Sequence, residues 1–346
     1  MQAKTMAVFN KDGKFQPHTI ERRDPGANDV VVKIEYCGIC HSDIHTARSE
    51  WGPAAYPCVP GHEIVGKVIA IGKKVKRFKV GEPVGVGCFV DSCGKCSPCK
   101  KNEEQFCEVK TVFTYNSTEL DGKTPTYGGY ASHITVKDKY VLKIKKGLPL
   151  DKIAPLLCAG ITTYSPLKRY KTSKGKKIGV VGLGGLGHMA VKIAKAMGAE
   201  VTVFSTSPSK ESDAKRLGAK HFKVTKTPEA FTSMMGKLDL IIDTVSAPHS
   251  FTPYLSTLKL GGTMVLVGVS PDPNSLDAFG LIGGRKVLTG SLIGGIKETQ
   301  EMLDFCARKK VFSDIELIKP EKIDEAYNRT VAGDVKYRFV VDLNTL

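Results

Sequence analysis

No stretch of this sequence approaches the roughly 18 consecutive apolar residues that a membrane-spanning helix needs. The opening residues, Met1-Gln2-Ala3-Lys4, run into a strand-like segment without the apolar core of a secretory leader, so a cytoplasmic protein is expected. Tryptophan occurs once, and aromatic residues make up 8% of the chain. They do not interleave with the basic residues as they would on a nucleic-acid surface. Acid is the scarcer charge: 35 Asp and Glu stand against 51 Lys and Arg, a formal charge of +16. The lysines are scattered, which reads as a solvated basic surface, and neither nucleic acid nor membrane is an expected partner. Internal repeats and low-complexity runs are absent.

Cysteine is not scarce. There are ten, and nothing points to secretion, so metal binding or catalysis is favoured over a disulfide scaffold. The spacing Cys93-x2-Cys96-x2-Cys99-x7-Cys107 puts four soft ligands within fifteen residues. Four thiolates can close a tetrahedron around zinc and leave no open position, the pattern of a structural site. Its role is to brace a loop, about 91–108, that has no core of its own. Lys95, Lys100, Lys101 and Lys110 surround these cysteines and offset the negative charge of such a site.

At 346 residues the chain exceeds one ordinary core, and two domains are expected. Residues 1–152 read as short strands such as Val30–Tyr36, Ile64–Ile71 and Tyr130–Val136, separated by Gly and Pro. From 153 the pattern changes. Residues 153–160 read as helical, Lys177–Val181 as a strand, His188–Met197 as an amphipathic helix and Glu200–Phe204 as a second strand. Further strands fit Leu238–Asp243, Thr263–Val267 and Lys286–Thr289. This alternation predicts a parallel, doubly wound α/β sheet over 153–294. Residues 295–346, read as a return to the first domain, contain one helix near Thr299–Ala307 and a final strand, Tyr337–Val341.

Gly182-Leu183-Gly184-Gly185-Leu186-Gly187 follows the apolar strand and opens a helix. Its glycines stand at G-x-G-x-x-G positions, where they permit a tight turn, a close approach to pyrophosphate and helix–strand packing. A site for NAD has an acid at the end of the second strand, on the ribose 2′-OH. Here that strand ends in Ser205-Thr206-Ser207 with Lys210 nearby, and Glu200 lies at its other end. Hydroxyls and a cation suit a 2′-phosphate, so NADP(H) is the expected cofactor.

A second group is dispersed: Cys40-His41-Ser42-Asp43, Gly61-His62-Glu63 and Cys158. Spacing alone does not join these residues, since a lone buried cysteine is usually a small hydrophobe. The chain as a whole, however, resembles the zinc-containing medium-chain alcohol dehydrogenases, and among them the cinnamyl alcohol dehydrogenase group. The resemblance runs through Cys37-Gly38-Ile39-Cys40-His41-Ser42-Asp43, Gly61-His62-Glu63, the four-cysteine lobe, Cys158–Tyr164, Gly182–Gly187 and Tyr337-Arg338-Phe339.

The resemblance implies a mostly β, GroES-like catalytic domain beside a Rossmann domain, with two Zn2+ per chain. It makes Cys40, His62 and Cys158 the catalytic zinc ligands, puts Glu63 beside the metal as a transient ligand, and has Asp43 bonded to the far nitrogen of His62. Two thiolates and an imidazole form a neutral centre with a position left for substrate oxygen. A zinc Lewis acid lowers the pKa of the bound alcohol, whose proton leaves through Ser42 and a ribose hydroxyl to His45. Cofactor contacts implied are His41, Thr162, Thr244, Val245, Ser246, Val267, Gly268, Val269, Ser291, Leu292, Ile293 and Arg338, the last at the pyrophosphate. Trp51 either lines a pocket for aromatic or apolar primary alcohols or simply packs. Cys88, Phe89 and Val90 face the same cleft in this reading.

Cys37, Cys58, Cys88 and Cys306 match no zinc position and read as free thiols. Glu82-Pro83 departs from the family's Gly-Asp-Arg-Val turn. The competing readings are a zinc polyol dehydrogenase and a non-catalytic NADPH-binding module; the intact ligand set argues against the second. A homodimer, paired through sheet edges near Thr289–Ile293, is the family expectation.

Overall fold

The computed structural model describes all 346 residues, which divide into two compact units. One comprises Met1–Cys158 with Gly294–Leu346, the other Ala159–Ile293.

The first unit is built on a seven-stranded sheet in the order Leu142–Lys143, Pro83–Val86, Ile64–Ile71, Asp29–Gly38, Arg338–Asp342, Ile315–Ile318, with His133–Lys137 also paired to Asp29–Gly38. Asp29–Gly38 carries Val30, Val31, Val32 and Ile34 fully buried, as befits its central place. Register decides what meets at its end. Cys37 pairs with Ile64 on one side and with Val341 on the other, and Ile64 in turn pairs with Val86. The segments Gly38–Cys40, His62–Glu63 and Gly87–Cys88, together with Arg338, are thus brought to one edge of the sheet. At Gly38 the approach admits no side chain, because a Cβ there would lie 1.9 Å from Glu63 Oε2.

Two expectations need correction here. Residues 153–160 are not one helix: a helical turn Leu150–Ile153 passes into a 3-10 turn, Ala154–Leu157, and Cys158 stands in the break before the helix Ala159–Arg169. Pro155, which has no N–H to give an α-helix, lies in the 3-10 turn. The C-terminal stretch holds two helices, not one. Besides Ile296–Lys309 there is Ile323–Val331, which buries Ile323, Ala326, Tyr327 and Thr330 at i, i+3, i+4, i+7. Tyr and Thr in that stripe hid it from an apolar count.

The second unit has six parallel strands in the order His221–Val224, Glu200–Ser205, Lys177–Val181, Leu238–Asp243, Leu258–Leu266, Val287–Gly290. Chain order reverses between Lys177–Val181 and Leu238–Asp243, and ligands of doubly wound sheets bind outside the carboxyl ends of the strands at such a point. Under the sheet, Phe204, Leu238, Ile241, Leu255 and Met264 form a core with Tyr254 and Phe251. No helix of either unit is long and apolar enough to cross a membrane.

Candidate functional site

The sheet edge of the first unit gathers one cluster of ligand atoms. Those of Cys40, His62, Glu63 and Cys158 all lie within 4.8 Å of one another, and all four residues are buried. Cys40 Sγ and Cys158 Sγ are 3.9 Å apart. That is far beyond the ~2.05 Å of a disulfide. It is close to the edge of a tetrahedron around zinc, about 3.8 Å for Zn–S bonds of about 2.3 Å. Arg338 donates from Nη2 to Glu63 Oε1, while Glu63 Oε2 is buried without a partner. A carboxylate oxygen left unsatisfied among two thiols and an imidazole is a donor set made for a cation, and sulfur with nitrogen favours zinc.

Asp43 orients this cluster. Its carboxylate, fully buried, accepts from His62 Nδ1 at 3.0 Å, the Gly61 amide at 3.1 Å and the Cys40 amide at 2.8 Å. The His62 proton is thereby fixed on Nδ1, and Nε2 keeps its lone pair for a metal. Burial works against a charged His62, but Asp43 outweighs it and raises the basicity of the ring. Cys158 hydrogen-bonding to it, and then Arg338, hold the Cys40 thiol well below its ordinary value. Burial pushes the Glu63 carboxyl up to about 8, against the opposing pull of Arg338.

Ser42 Oγ is 3.5 Å from Cys40 Sγ. His45, three residues on in the short helix His41–Ala47, bonds Glu50 Oε2 through Nδ1 at 2.5 Å. Trp51 stacks on the His45 ring at 4.7 Å between centroids and is 51% exposed, so it is not core packing. His41 stands on the exposed start of the helix, 6.1 Å from His45. Sequence reasoning missed Glu50 and the Glu63–Arg338 pair. The latter joins residues 275 positions apart and is set by strand register alone.

The second cluster is Cys93, Cys96, Cys99 and Cys107, again within 4.8 Å. Cys93–Cys99 and Cys96–Cys107 are each 3.9 Å apart, the same tetrahedral edge. Main-chain amides of Lys95 and Cys96 point at Cys93 Sγ, and that of Cys93 at Cys107 Sγ, all at 3.4 Å. Burial opposes ionisation of Cys107, but the main-chain amides of Cys93, Lys110 and Val109 bring it down to about 6. All ten cysteines are free of disulfides.

In the second unit, Gly182 turns at φ +85° after Val181. A Cβ on Gly187 would meet the Gly182 carbonyl at 2.2 Å, whereas one on Gly184 would meet nothing within 4 Å. The loop is thus closed behind and open in front, a cradle for a phosphate at the start of the helix Gly187–Ala196, with Leu183, Gly185 and Leu186 completing it. Thr244 Oγ1 donates to the Val181 carbonyl at 2.7 Å. Thr244–Ser246, Val267–Val269 and Ser291–Ile293 all follow carboxyl ends of neighbouring strands, and Thr162 lies buried in a helix beside Gly187–Ala196. Ser205 ends its strand, with Thr206 and Ser207 after it, and Lys210 reaches back to bond the Leu183 carbonyl at 3.0 Å. Glu200 is spent at the opposite strand end on Lys220 and His221.

Two family models match the chain: the alcohol dehydrogenase GroES-like domain over residues 26–146 and the zinc-binding dehydrogenase over 185–308. The NADP-dependent alcohol dehydrogenase C 1 of Mycolicibacterium smegmatis is 55% identical, over 95% of this chain and 94% of the relative. A cinnamyl alcohol dehydrogenase from Sorghum bicolor superposes with a TM-score of 0.96 at 44% identity, over 99% of this chain and 98% of that one. The same enzyme from Helicobacter pylori, complexed with NADP(H), gives 0.93 at 48% identity, with equal coverage.

Proposed function

The chain belongs to the zinc-dependent alcohol dehydrogenases, in the cinnamyl alcohol dehydrogenase group, and from that premise we propose that its substrates are aromatic or apolar primary alcohols and their aldehydes. It is an NADP(H)-using oxidoreductase with two zinc sites. The observation that carries this reading is the buried set Cys40, His62, Glu63 and Cys158, whose dimensions and donor chemistry suit a catalytic metal.

Zinc, when bound, supplies a Lewis acid, and NADPH the hydride. The protein does the rest by placement. Cys40, His62 and Cys158 hold the metal, and Asp43 keeps His62 in the tautomer that can ligate. Glu63 stands by with one free oxygen and Arg338 as its counter-ion. Ser42 and His45, three residues apart, share a helix face. The Ser42 hydroxyl beside the ligands releases its own proton outward as it accepts one, and His45, which Glu50 and Trp51 keep in place near the surface, is the outer acceptor of that relay. Ring stacking at Trp51 favours flat, apolar substrates. Gly182–Gly187 cradles the pyrophosphate, and Ser205–Ser207 with Lys210 take the 2′-phosphate.

Initial rates of cinnamaldehyde reduction test this. With zinc-replete protein, kcat/KM with NADPH exceeds that with NADH by about a hundredfold, the size of one or two charge-assisted hydrogen bonds to a 2′-phosphate. Equal rates would sink the 2′-phosphate assignment but not the dehydrogenase; no rate with either cofactor would move a polyol substrate to the front. Ser205→Asp should abolish most of the preference, because the new carboxylate repels the 2′-phosphate and can accept from a ribose 2′-OH.

We further assign the protein to the cytoplasm and to a homodimer. Val287–Gly290 is an edge strand, with Val287 44% exposed and Phe279, Ile282 and Leu292 exposed around it. An uncovered edge with apolar neighbours is a pairing surface. Phe279→Asp with Ile282→Asp should convert the protein from dimer to monomer in size-exclusion chromatography with light scattering. An unchanged mass would refute the edge assignment.

A further inference from the structure

His249 was singled out by neither its spacing nor its neighbours in sequence. Its imidazole faces a hydrogen-bond acceptor at each nitrogen: the Ala247 carbonyl is 2.9 Å from Nδ1, and Asp243 Oδ2 is 3.0 Å from Nε2. A neutral imidazole has one N–H and one lone pair, so one of these contacts would set lone pair against lone pair. Only the imidazolium donates at both.

Asp243 is the other half of the arrangement. It is 2% exposed and ends the strand Leu238–Asp243, next to Lys177–Val181, at the point where the strand order reverses. Its Oδ1 accepts the Val245 amide at 3.1 Å, and its main-chain carbonyl accepts the amides of Val267 and Gly268 at 2.9 and 3.1 Å. Every segment it ties down borders the crevice assigned above to the dinucleotide. A buried carboxylate there is unfavourable in itself and repels the phosphates.

We propose that Asp243 and His249 form an ion pair that positions NADPH: the imidazolium cancels the Asp243 charge in the cofactor crevice and pins the turn 244–249 through Ala247. His249 is a positioning residue and touches no reacting atom. The inference rests on the NADP(H) reading of the crevice.

The surroundings of the ring support a stable cation. The Asp243 hydrogen bond, first, raises the His249 pKa, against partial burial. The other groups facing it are the rings of Phe251 and Tyr254, nearly perpendicular to it with centroids at 5.1 and 5.7 Å, and Asn274, whose Oδ1 accepts the His249 amide. Asp243 is the only charge among them. Because the folded pKa is raised, the pair is intact below the ordinary histidine value and is lost as pH rises through the elevated one. NADPH affinity falls over the same range.

The test has two arms on the full-length protein. Nitrogen-15 NMR of the histidine side chains, without cofactor, should show one ring with both nitrogens protonated at neutral pH, and that signal should vanish in His249→Gln. A neutral His249 ring overturns the proposal whatever the cofactor. In the second arm, His249→Gln raises the NADPH dissociation constant about tenfold, with the loss in KM and not in kcat. The double variant D243N/H249Q, in which neither charge remains, should recover affinity to within about threefold of wild type and lose the pH dependence. A loop role alone would not be rescued that way. Equal NADPH affinity in His249→Gln and wild type, or no recovery in the double variant, overturns the electrostatic pair. Failure of the wild type itself to bind NADPH would overturn the cofactor reading, with the ring-protonation result still deciding the state of His249.

Discussion

Replacing Cys158 by serine should leave about one zinc per chain where the wild type holds two, and should lower kcat/KM for aldehyde reduction at least about a thousandfold. The two effects follow from the separation of the clusters. Cys158 belongs to the set with Cys40, His62 and Glu63, and shares no ligand with Cys93, Cys96, Cys99 and Cys107. A serine hydroxyl at neutral pH is not a thiolate, so Cys40 and His62, with Glu63 tied to Arg338, are left to hold a zinc that they release. Lewis-acid stabilisation is worth several kcal/mol, and 1.36 kcal/mol is a factor of ten. Metal analysis and initial rates on one preparation check both statements. Cys96→Ser supplies the opposite pattern: the other zinc is lost, and the lobe around residues 91–108 becomes sensitive to protease. A Cys158→Ser protein that kept two zinc ions and most of its activity would overturn the ligand assignment.

The contrast between the two clusters also explains what the sequence made legible. The four-cysteine lobe lies within fifteen residues, so its tetrahedron is a local matter of turns and can be read from spacing. The glycine loop is local too, because strand, turn and helix follow one another. Cys40, His62 and Cys158 are different. They meet because Cys37 pairs with Ile64 and because the helix expected over 153–160 breaks at Cys158. No spacing encodes that, and only the likeness to a family joined them beforehand. Of the partners that support the ligands, Asp43 came with that likeness, and the others were legible from neither source. Arg338 reaches Glu63 because its strand pairs with the end of Asp29–Gly38. Tyr327, behind Asp43 through Tyr130, comes from a helix whose buried stripe includes Tyr and Thr and escaped an apolar count. Lys210 was expected near a 2′-phosphate, and its bond to the Leu183 carbonyl ties that expectation to the loop itself. The residues of the two metal clusters and of the glycine loop were largely visible; several of those that hold them in position depended on strand register.

Arg338→Met should cost the zinc-loaded protein about 3–5 kcal/mol, the penalty for leaving one partner of a buried ion pair uncompensated. Arg338 is 5% exposed and Glu63 fully buried, and nothing else in the fold is hydrogen-bonded to the Glu63 carboxylate. Without the guanidinium that carboxylate faces the Cys40 and Cys158 sulfurs, so repulsion adds to desolvation. At roughly 2–4 °C per kcal/mol for a unit of this size, the melting transition should fall by about 10 °C. Removing both charges is a different matter. The double variant R338M/E63L replaces the pair by apolar groups, and such exchanges are often neutral or stabilising. It should therefore melt well above Arg338→Met alone, even though its metal site has lost a neighbouring oxygen. Calorimetry of the two variants beside wild type decides the point. If Arg338→Met melts like wild type, the two groups are not an ionised pair, and Glu63 must then be protonated. If the double variant is no better than the single one, the cost lies in packing around Arg338 and not in the charge left on Glu63.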